Sequence, residues 1–161
     1  MVYLADWLFG NMPDDDGQIS LVHGDYRLDN IIFKPFSSDV LALLDWELAT
    51  LGHPLADLAY QCMQWRVPHN STMSGLGGVE RKELGIPEET DYISKYCEHR
   101  HCPIPDNWKF YLLFSYFRLA AILQGVVRRA EDGSGSNPEI AKTYKKAIPI
   151  LLGQANDLLD R

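Results

Sequence analysis

The sequence has few cysteines, no excess of positive charge and no long uninterrupted apolar run. Its 161 residues include 3 cysteines, an odd number without a tight pairing pattern, which favours free thiols in a reducing compartment over a disulfide framework. Lys and Arg total 15 against 22 Asp and Glu. The resulting net charge of −7 opposes a nucleic-acid partner, because phosphate binding needs a positive surface.

A membrane segment and a targeting signal are not predicted either. The most apolar stretch, residues 110–127, contains Arg118 near its middle, which divides it into runs shorter than the roughly 20 apolar residues that span a bilayer. We therefore expect a core helix here and no membrane partner. The N-terminus has no basic segment, and Asp6 interrupts the apolar residues around it. These features predict a cytoplasmic location.

What the sequence does contain is enough apolar residues, 46% of the chain, to form the core of one domain. Three short apolar strings, rich in branched residues and bounded by Gly, Pro and Asp, predict strands over residues 19–23, 30–33 and 40–44. Helical spacing predicts helices over residues 3–9, 54–65, 91–100, 107–131 and 139–159. The expected fold class is α+β, with a small β element followed by a helical bundle in a single domain, residues 1–161.

Polar residues concentrate where the predicted strands end. Residues 23–30 read HGDYRLDN between the first two strands, and Asp45 follows the third. A carboxylate, an amide oxygen and a second carboxylate are hard ligands that suit Mg²⁺ shared with substrate phosphates. Asp25 is therefore a candidate partner for an attacking hydroxyl, and Asn30 and Asp45 are candidate metal ligands. Arg27 is the candidate cation that faces the charge developing in phosphoryl transfer.

Two other segments contain residue types that are common in functional sites. Residues 97–102 read CEHRHC, but their spacing does not match a zinc site, so we interpret them as a helix end with incidental thiols. Residues 75–78 read GLGG, yet no strand precedes them as a phosphate-binding loop requires. We interpret them as a flexible loop on the substrate side.

The HGDYRLDN motif resembles the H-G-D-x-x-x-x-N catalytic loop of the aminoglycoside phosphotransferase (APH) and choline kinase-like family, a relative of the protein-kinase loop. Residues 45–47, DWE, look like the family's counterpart of the kinase D-F-G motif, and residues 51–59, LGHPLADLA, are similar to its helix start. The match over residues 21–60 is closest to the subfamily whose phosphotransferase domain is fused to acyl-CoA dehydrogenase in eukaryotic family members 10 and 11. The resemblance implies a protein kinase-like (APH-type) fold, of which this chain would form the C-terminal lobe.

The resemblance also implies a role for each matching residue. Asp25 would be the catalytic base, and Asn30 and Asp45 would be the Mg²⁺ ligands. Arg27, two positions after the base, takes the place where the kinase lysine meets the γ-phosphate.

The implied activity is ATP-dependent phosphorylation of a hydroxyl group on a small molecule. Ile32 would pack beneath the adenine of ATP, with Leu44 nearby. The fused subfamily suggests a hydroxyacyl-CoA or a hydroxy acid as the acceptor, while aminoglycosides and choline-like alcohols remain open. If the domain belongs to a dehydrogenase fusion, a mitochondrial or peroxisomal location would replace the cytoplasmic one.

A kinase-like enzyme also needs a β-rich N-terminal lobe with a phosphate-covering loop and a strand lysine. The predicted catalytic loop starts at residue 23 and no lysine precedes it, so we expect this lobe to be absent and the chain to be weakly active or inactive alone. An apolar surface facing the absent lobe would favour self-association or a partner chain. The alternative from another functional class is a non-catalytic, pseudokinase-like binding or scaffold module.

Overall fold

The computed structural model describes residues 1–135 and 137–160, and within them five α-helices and four short strands follow one another along the chain. In chain order they are α1 (Val2–Gly10), β1 (Ser20–Val22), β2 (Ile31–Phe33), β3 (Val40–Leu43), β4 (Thr50–Gly52), α2 (Leu55–Arg66), α3 (Glu89–Arg100), α4 (Trp108–Glu131) and α5 (Pro138–Leu159). The strands lie in the first third of the chain and helices fill the rest. This arrangement agrees with the predicted α+β class.

The strands form two antiparallel pairs. β2 and β3, both predicted as strands, form a hairpin with Ile31 opposite Leu43. β1 pairs with β4, and Val22 lies opposite Thr50. The strand β4 was not predicted, because residues 50–52 contain a single large apolar residue, Leu51, and so form no apolar string. Its pairing with β1 brings the two ends of residues 23–49 together, so the predicted catalytic segment is held as a closed unit.

The hydrophobic core lies among the helices. α4 packs against α1, α2 and α5. Side chains that are nearly or completely buried come from all four helices and include Leu4, Met63, Leu112, Leu113, Tyr116 and Leu151. The helical bundle is therefore a rigid support behind the strand pairs.

The helix α4 satisfies the length and composition of a membrane-crossing helix, so the prediction that Arg118 makes its apolar run too short is wrong. One charge does not remove the apolar character of a 24-residue helix. Half of its most apolar window is nevertheless buried within the described chain. The contacts of α4 with α2 and α5 account for this burial, so α4 is the expected core helix because of its packing.

Helix ends differ in detail from the predictions. α3 begins at Glu89, two residues before the predicted start. Pro54 precedes α2 as its N-cap residue, and Asn107 occupies the N-cap of α4 without a capping side-chain hydrogen bond. α5 has a cap of the usual kind, in which Asn137 Oδ1 accepts a hydrogen bond from the backbone N–H of Ile140 at 3.2 Å.

The glycine-rich segment after α2 is tightly packed, which contradicts its predicted flexibility. The backbone N–H of Gly77 donates to Val67 O at 2.8 Å, and that of His69 donates to Gly77 O at 3.0 Å. A Cβ atom on Gly75 would lie 2.2 Å from Val67 O and 2.4 Å from Gln64 O. The glycines are therefore needed because the segment approaches the backbone of α2 closely.

We predict that Gly75→Ala destabilises the fold, because the added methyl group meets backbone atoms that cannot move away easily. The expected loss is about 1–3 kcal/mol in the free energy of unfolding, measured by urea denaturation. Gly153→Ala is the matched control, since a Cβ atom there meets nothing within 4 Å and the residue lies inside α5. This control should be neutral or stabilising by about 0.5–1 kcal/mol. Equal effects of the two substitutions would contradict the packing argument.

Candidate active site

The residue His23 joins the end of β1 to the end of β3. It is buried, and its Nε2 lies 2.7 Å from the carbonyl oxygen of Leu44. Its Nδ1 accepts a hydrogen bond from the backbone N–H of Asp25 at 3.2 Å. These two contacts assign the neutral tautomer with its proton on Nε2. His23 therefore shapes the loop that presents Asp25.

The carboxylate of Asp57 holds the start of the same loop by hydrogen bonds to its backbone. Asp57 lies in the first turn of α2, and its Oδ2 accepts from the backbone N–H of His23 at 2.7 Å. Its Oδ1 accepts from the N–H of Gly24 at 2.9 Å. A carboxylate in a first helical turn can satisfy the free N–H groups of its own helix or those of another segment. The structure shows that it braces the loop.

The residue Gly24 must be glycine in this loop. Its φ is +85°, and a Cβ atom would lie 2.5 Å from Leu48 O. A guanidinium nitrogen of Arg118, on α4, donates a hydrogen bond to the Gly24 carbonyl. Sequence reasoning missed this contact and treated Arg118 only as an interruption of an apolar run. No local pattern could show it, because the two residues lie 94 positions apart.

The side chain of Asp25 is held at both carboxylate oxygens. The hydroxyl of Tyr60, on α2, donates to Oδ1 at 2.7 Å, and the amide nitrogen of Asn30 donates to Oδ2 at 3.0 Å. Arg27 Nε lies 3.6 Å from the same Oδ2. Burial and then the hydrogen bond to Asp25 raise the pKa of Tyr60, so its hydroxyl keeps its proton. Sequence reasoning also missed Tyr60.

The residues Asn30 and Asp45 come from adjoining strand ends. The backbone N–H of Leu44 donates to Asn30 O at 2.8 Å, which places Asp45 one residue beyond this contact. The amide nitrogen of Asn30 points at Asp25, which leaves its oxygen directed elsewhere. Asp45 is exposed and has a left-handed backbone with φ 65°, a conformation that non-glycine residues adopt mainly at functional or turn positions.

This donor set fits Mg²⁺. An amide oxygen and one carboxylate are hard ligands, and Mg²⁺ commonly completes its coordination with substrate phosphates and water. In residues 1–135 and 137–160 no group of three or more His, Cys, Asp or Glu side chains is arranged to hold a metal. Residues 97–102 contain the end of α3, as predicted, since the helix ends at Arg100 and His101 is its C-cap residue.

The remaining predicted residues lie at the edge of this site. Arg27 lies between two carboxylates, with its guanidinium 3.5 Å from Asp29 and its Nε near Asp25. Its side chain is 39% exposed. Ile32 and Leu44 are 43% and 44% exposed. Both are among the exposed apolar residues of the two strand pairs and their ends, which are called here together the hairpin surface and comprise Leu21, Ile32, Phe33, Val40, Leu41, Leu44 and Leu51.

A polar cleft of 480 Å³ lies on the other side of α2, near the glycine-rich segment. Arg66 in this cleft forms two hydrogen bonds with Glu89, at 2.8 and 2.7 Å. Arg81 contacts Glu88 at 3.2 Å. Because both guanidinium groups are already paired with carboxylates, the cleft is not a preformed phosphate site.

Comparison with known proteins identifies the family. The sequence profile described as the phosphotransferase enzyme family matches residues 1–90, more than half of the chain. The chain belongs to the phosphotransferase enzyme family. The matched range contains every residue of the site described above except Arg118.

Curated relatives within this family carry the predicted subfamily name. Mouse acyl-CoA dehydrogenase family member 10 is 46% identical to the chain, over 90% of the chain and 14% of the relative. Chicken acyl-CoA dehydrogenase family member 11 is also 46% identical, over 98% of the chain and 21% of the relative. The chain therefore spans about a fifth or less of the length of these relatives.

A solved structure confirms the predicted fold. The crystal structure of a Ralstonia eutropha protein assigned as an aminoglycoside phosphotransferase matches with a TM-score of 0.88 and 42% identity. The match covers 99% of this chain and 48% of the other. The chain has the architecture of the C-terminal portion of a kinase-like, APH-type fold, as its motif predicted.

We predict that Asp57→Ala destabilises the folded chain by about 2–3 kcal/mol, because it leaves two partly buried backbone N–H groups without their charged acceptor. Urea denaturation measures the change. Asp6→Ala, which removes an exposed carboxylate from α1, is the control and should change stability by less than about 0.5 kcal/mol. A loss at Asp57 no larger than that at Asp6 would show that the loop does not depend on this carboxylate.

Proposed function

We propose that the chain carries the catalytic loop and metal site of an ATP-dependent phosphotransferase that acts on a hydroxyl group of a small molecule. The observation that supports this most directly is the arrangement of Asp25. Its carboxylate is oriented by two donors, and Asn30 and Asp45 lie at the adjoining strand ends. Membership of the phosphotransferase family agrees with this chemistry.

In the proposed reaction, Asp25 accepts the proton of the acceptor hydroxyl. The hydroxyl oxygen forms a bond to the γ-phosphorus of ATP, and the bond from that phosphorus to the bridging oxygen breaks, which releases ADP. The two carboxylate oxygens of Asp25 offer about four lone-pair positions, so the donors from Tyr60 and Asn30 leave room for the acceptor. Phosphoryl transfer needs little more from such a base than correct placement.

The donor nucleotide would lie against the ends of β2 and β3. Asn30 and Asp45 would hold Mg²⁺, which, when bound, supplies positive charge to the phosphate oxygens. Arg27 would exchange its carboxylate neighbours for the γ-phosphate, since its side chain is partly exposed beside them. Ile32 would contact the adenine, with Leu44 beside it, and their exposure supports such a contact.

A hydroxyacyl-CoA or a hydroxy acid is the proposed acceptor. Support comes from the relatives, which are named as acyl-CoA dehydrogenase family members. A hydroxyacyl-CoA is an acyl-CoA that carries the hydroxyl group needed by a phosphoryl acceptor. A narrow space of 50 Å³ is lined by residues that include Gln64, Gly75 and the two contacts of Asp25, Arg27 and Tyr60. We propose that the acceptor hydroxyl enters there. Aminoglycosides are the competing acceptor class, suggested by the solved relative.

We also propose that turnover is slow without a further protein segment. Kinase-like enzymes use a glycine-rich loop and a lysine over the phosphates, and the hairpin surface is the apolar face on which residues carrying them would dock. Self-association through the same surface is the alternative. All three cysteines are free, which supports the proposed cytoplasmic location, or that of a fused dehydrogenase.

A non-catalytic binding module is the second candidate function. The exposed hairpin surface favours it, because apolar residues grouped on a surface mark sites of protein association. The two candidates differ in nucleotide chemistry. A phosphotransferase site binds ATP in a metal-dependent way through Asn30 and Asp45, whereas a scaffold does not depend on these side chains.

Isothermal titration of ATP into the chain, with and without Mg²⁺, tests the proposal. We expect binding that requires Mg²⁺ and that Asp45→Asn reduces at least tenfold, because a charged ligand is lost. Asp25→Asn should retain binding, since it removes the base rather than a ligand. Asp39→Asn, an exposed carboxylate in the β2–β3 turn, is the matched control and should bind as the wild type does. Metal-independent binding, or none at millimolar ATP, would favour the scaffold.

A transfer assay with radiolabelled ATP tests the acceptor. The chain is offered 3-hydroxybutyryl-CoA, 3-hydroxybutyrate, choline and kanamycin, and labelled product is counted. We expect transfer to the hydroxyacyl-CoA, and Asp25→Asn should lower its rate about 10²- to 10⁴-fold, the usual contribution of a general base. Transfer to kanamycin alone would replace the proposed acceptor class. An unchanged rate in Asp25→Asn would remove Asp25 from the role of base.

A further inference from the structure

The hydroxyl of Tyr60 makes the shortest side-chain contact of Asp25, at 2.7 Å to Oδ1. On the other oxygen, the amide nitrogen of Asn30 donates at 3.0 Å. Two donors on opposite oxygens fix the rotation of a carboxylate about its Cβ–Cγ bond, whereas one donor would leave it free to turn. Asp25 is therefore held in one orientation before any substrate is present.

Tyr60 is itself held firmly. It lies on α2 and only 5% of its surface is exposed. The guanidinium group of Arg118 lies 5.8 Å from the centre of its ring, a cation–π arrangement, and the same group donates to the carbonyl of Gly24. One arginine thus contacts both the tyrosine and the residue that precedes Asp25. The raised pKa of Tyr60, caused first by burial, keeps the hydroxyl a donor.

We propose that Tyr60 is a positioning residue for Asp25. Arg118 contacts both the ring of Tyr60 and the carbonyl of Gly24, and so fixes the position of the tyrosine relative to the loop that contains Asp25. The inference rests on the proposed function, because it assumes that Asp25 is the base. Tyr60 fixes the carboxylate plane so that a remaining lone pair points at the acceptor hydroxyl. Misplacement of a catalytic group by about 1 Å costs on the order of 10²-fold in rate, so loss of this donor should slow transfer without weakening nucleotide binding.

A purely structural role is the competing interpretation. A buried tyrosine needs an acceptor for its hydroxyl. On this interpretation, Asp25 accepts the hydrogen bond to satisfy the Tyr60 hydroxyl, and the bond has no part in orienting Asp25 for catalysis. In that case, removal of the hydroxyl changes stability and leaves the orientation of Asp25 and the rate of transfer unchanged. The two interpretations therefore differ in readouts other than stability.

Carbon-13 NMR on the folded chain detects the hydrogen bond between Tyr60 and Asp25 at each of its two residues. We expect Tyr60→Phe to shift the Cγ resonance of Asp25, and Asp25→Ala to shift the Cζ resonance of Tyr60. The second measurement needs no change at Tyr60, so it holds even if Tyr60→Phe folds poorly. Tyr116→Phe is the matched control, because it removes the hydroxyl of another buried tyrosine, which lines the polar cleft near Arg66. Tyr116→Phe should leave the Cγ resonance of Asp25 unshifted.

The kinetic readout uses radiolabelled Mg-ATP with 3-hydroxybutyryl-CoA. Tyr60→Phe should lower kcat about 10- to 100-fold, with the KM for ATP within twofold of wild type, and Tyr116→Phe should change neither. Unshifted resonances, or wild-type kcat in Tyr60→Phe, would overturn the positioning role. Shifted resonances in a wild-type chain that shows no Mg²⁺-dependent binding of ATP would instead overturn the proposed function, and the positioning role with it.

Discussion

The carboxylate of Asp57 is the interaction on which the rest of the site depends. It accepts from two successive backbone N–H groups, those of His23 and Gly24, and so fixes the start of the loop that presents Asp25. The bonds join the first turn of α2 to the end of β1, two elements that are otherwise separate in the chain. A charged acceptor for two amides is stronger than a neutral one, which suits a loop that must keep one shape.

The helical bundle extends this control to the side chains. α2 contributes Tyr60 to one oxygen of Asp25, and α4 contributes Arg118 to the carbonyl of Gly24. Because both helices are anchored in the buried core, the carboxylate of Asp25 is positioned by rigid elements as well as by its own loop. Asp45 and the hairpin surface lie at the exposed part of the site, where we propose that the nucleotide binds.

The features that could be predicted from the sequence are those that depend on residues close together in the chain. Asp25, Asn30 and Asp45 could be proposed as site residues because one short loop and one strand end contain them and resemble the family's motifs, and the long helices were found from their periodicity. Tyr60 and Arg118 were missed because their contacts cross 35 and 94 positions of the chain. The packed glycine segment was misread as flexible for a related reason, since glycine permits both a mobile loop and a close backbone approach.

Paramagnetic broadening by Mn²⁺ tests most directly the claim that Asn30 and Asp45 form the metal site of a phosphotransferase. Mn²⁺ replaces Mg²⁺ at oxygen ligands and broadens the NMR resonances of nuclei close to it. In the presence of ATP, our account predicts that the amide signals of Asn30 and Asp45 broaden first, at metal concentrations below that of the protein. Broadening centred on the exposed acidic residues 14–16 would contradict it.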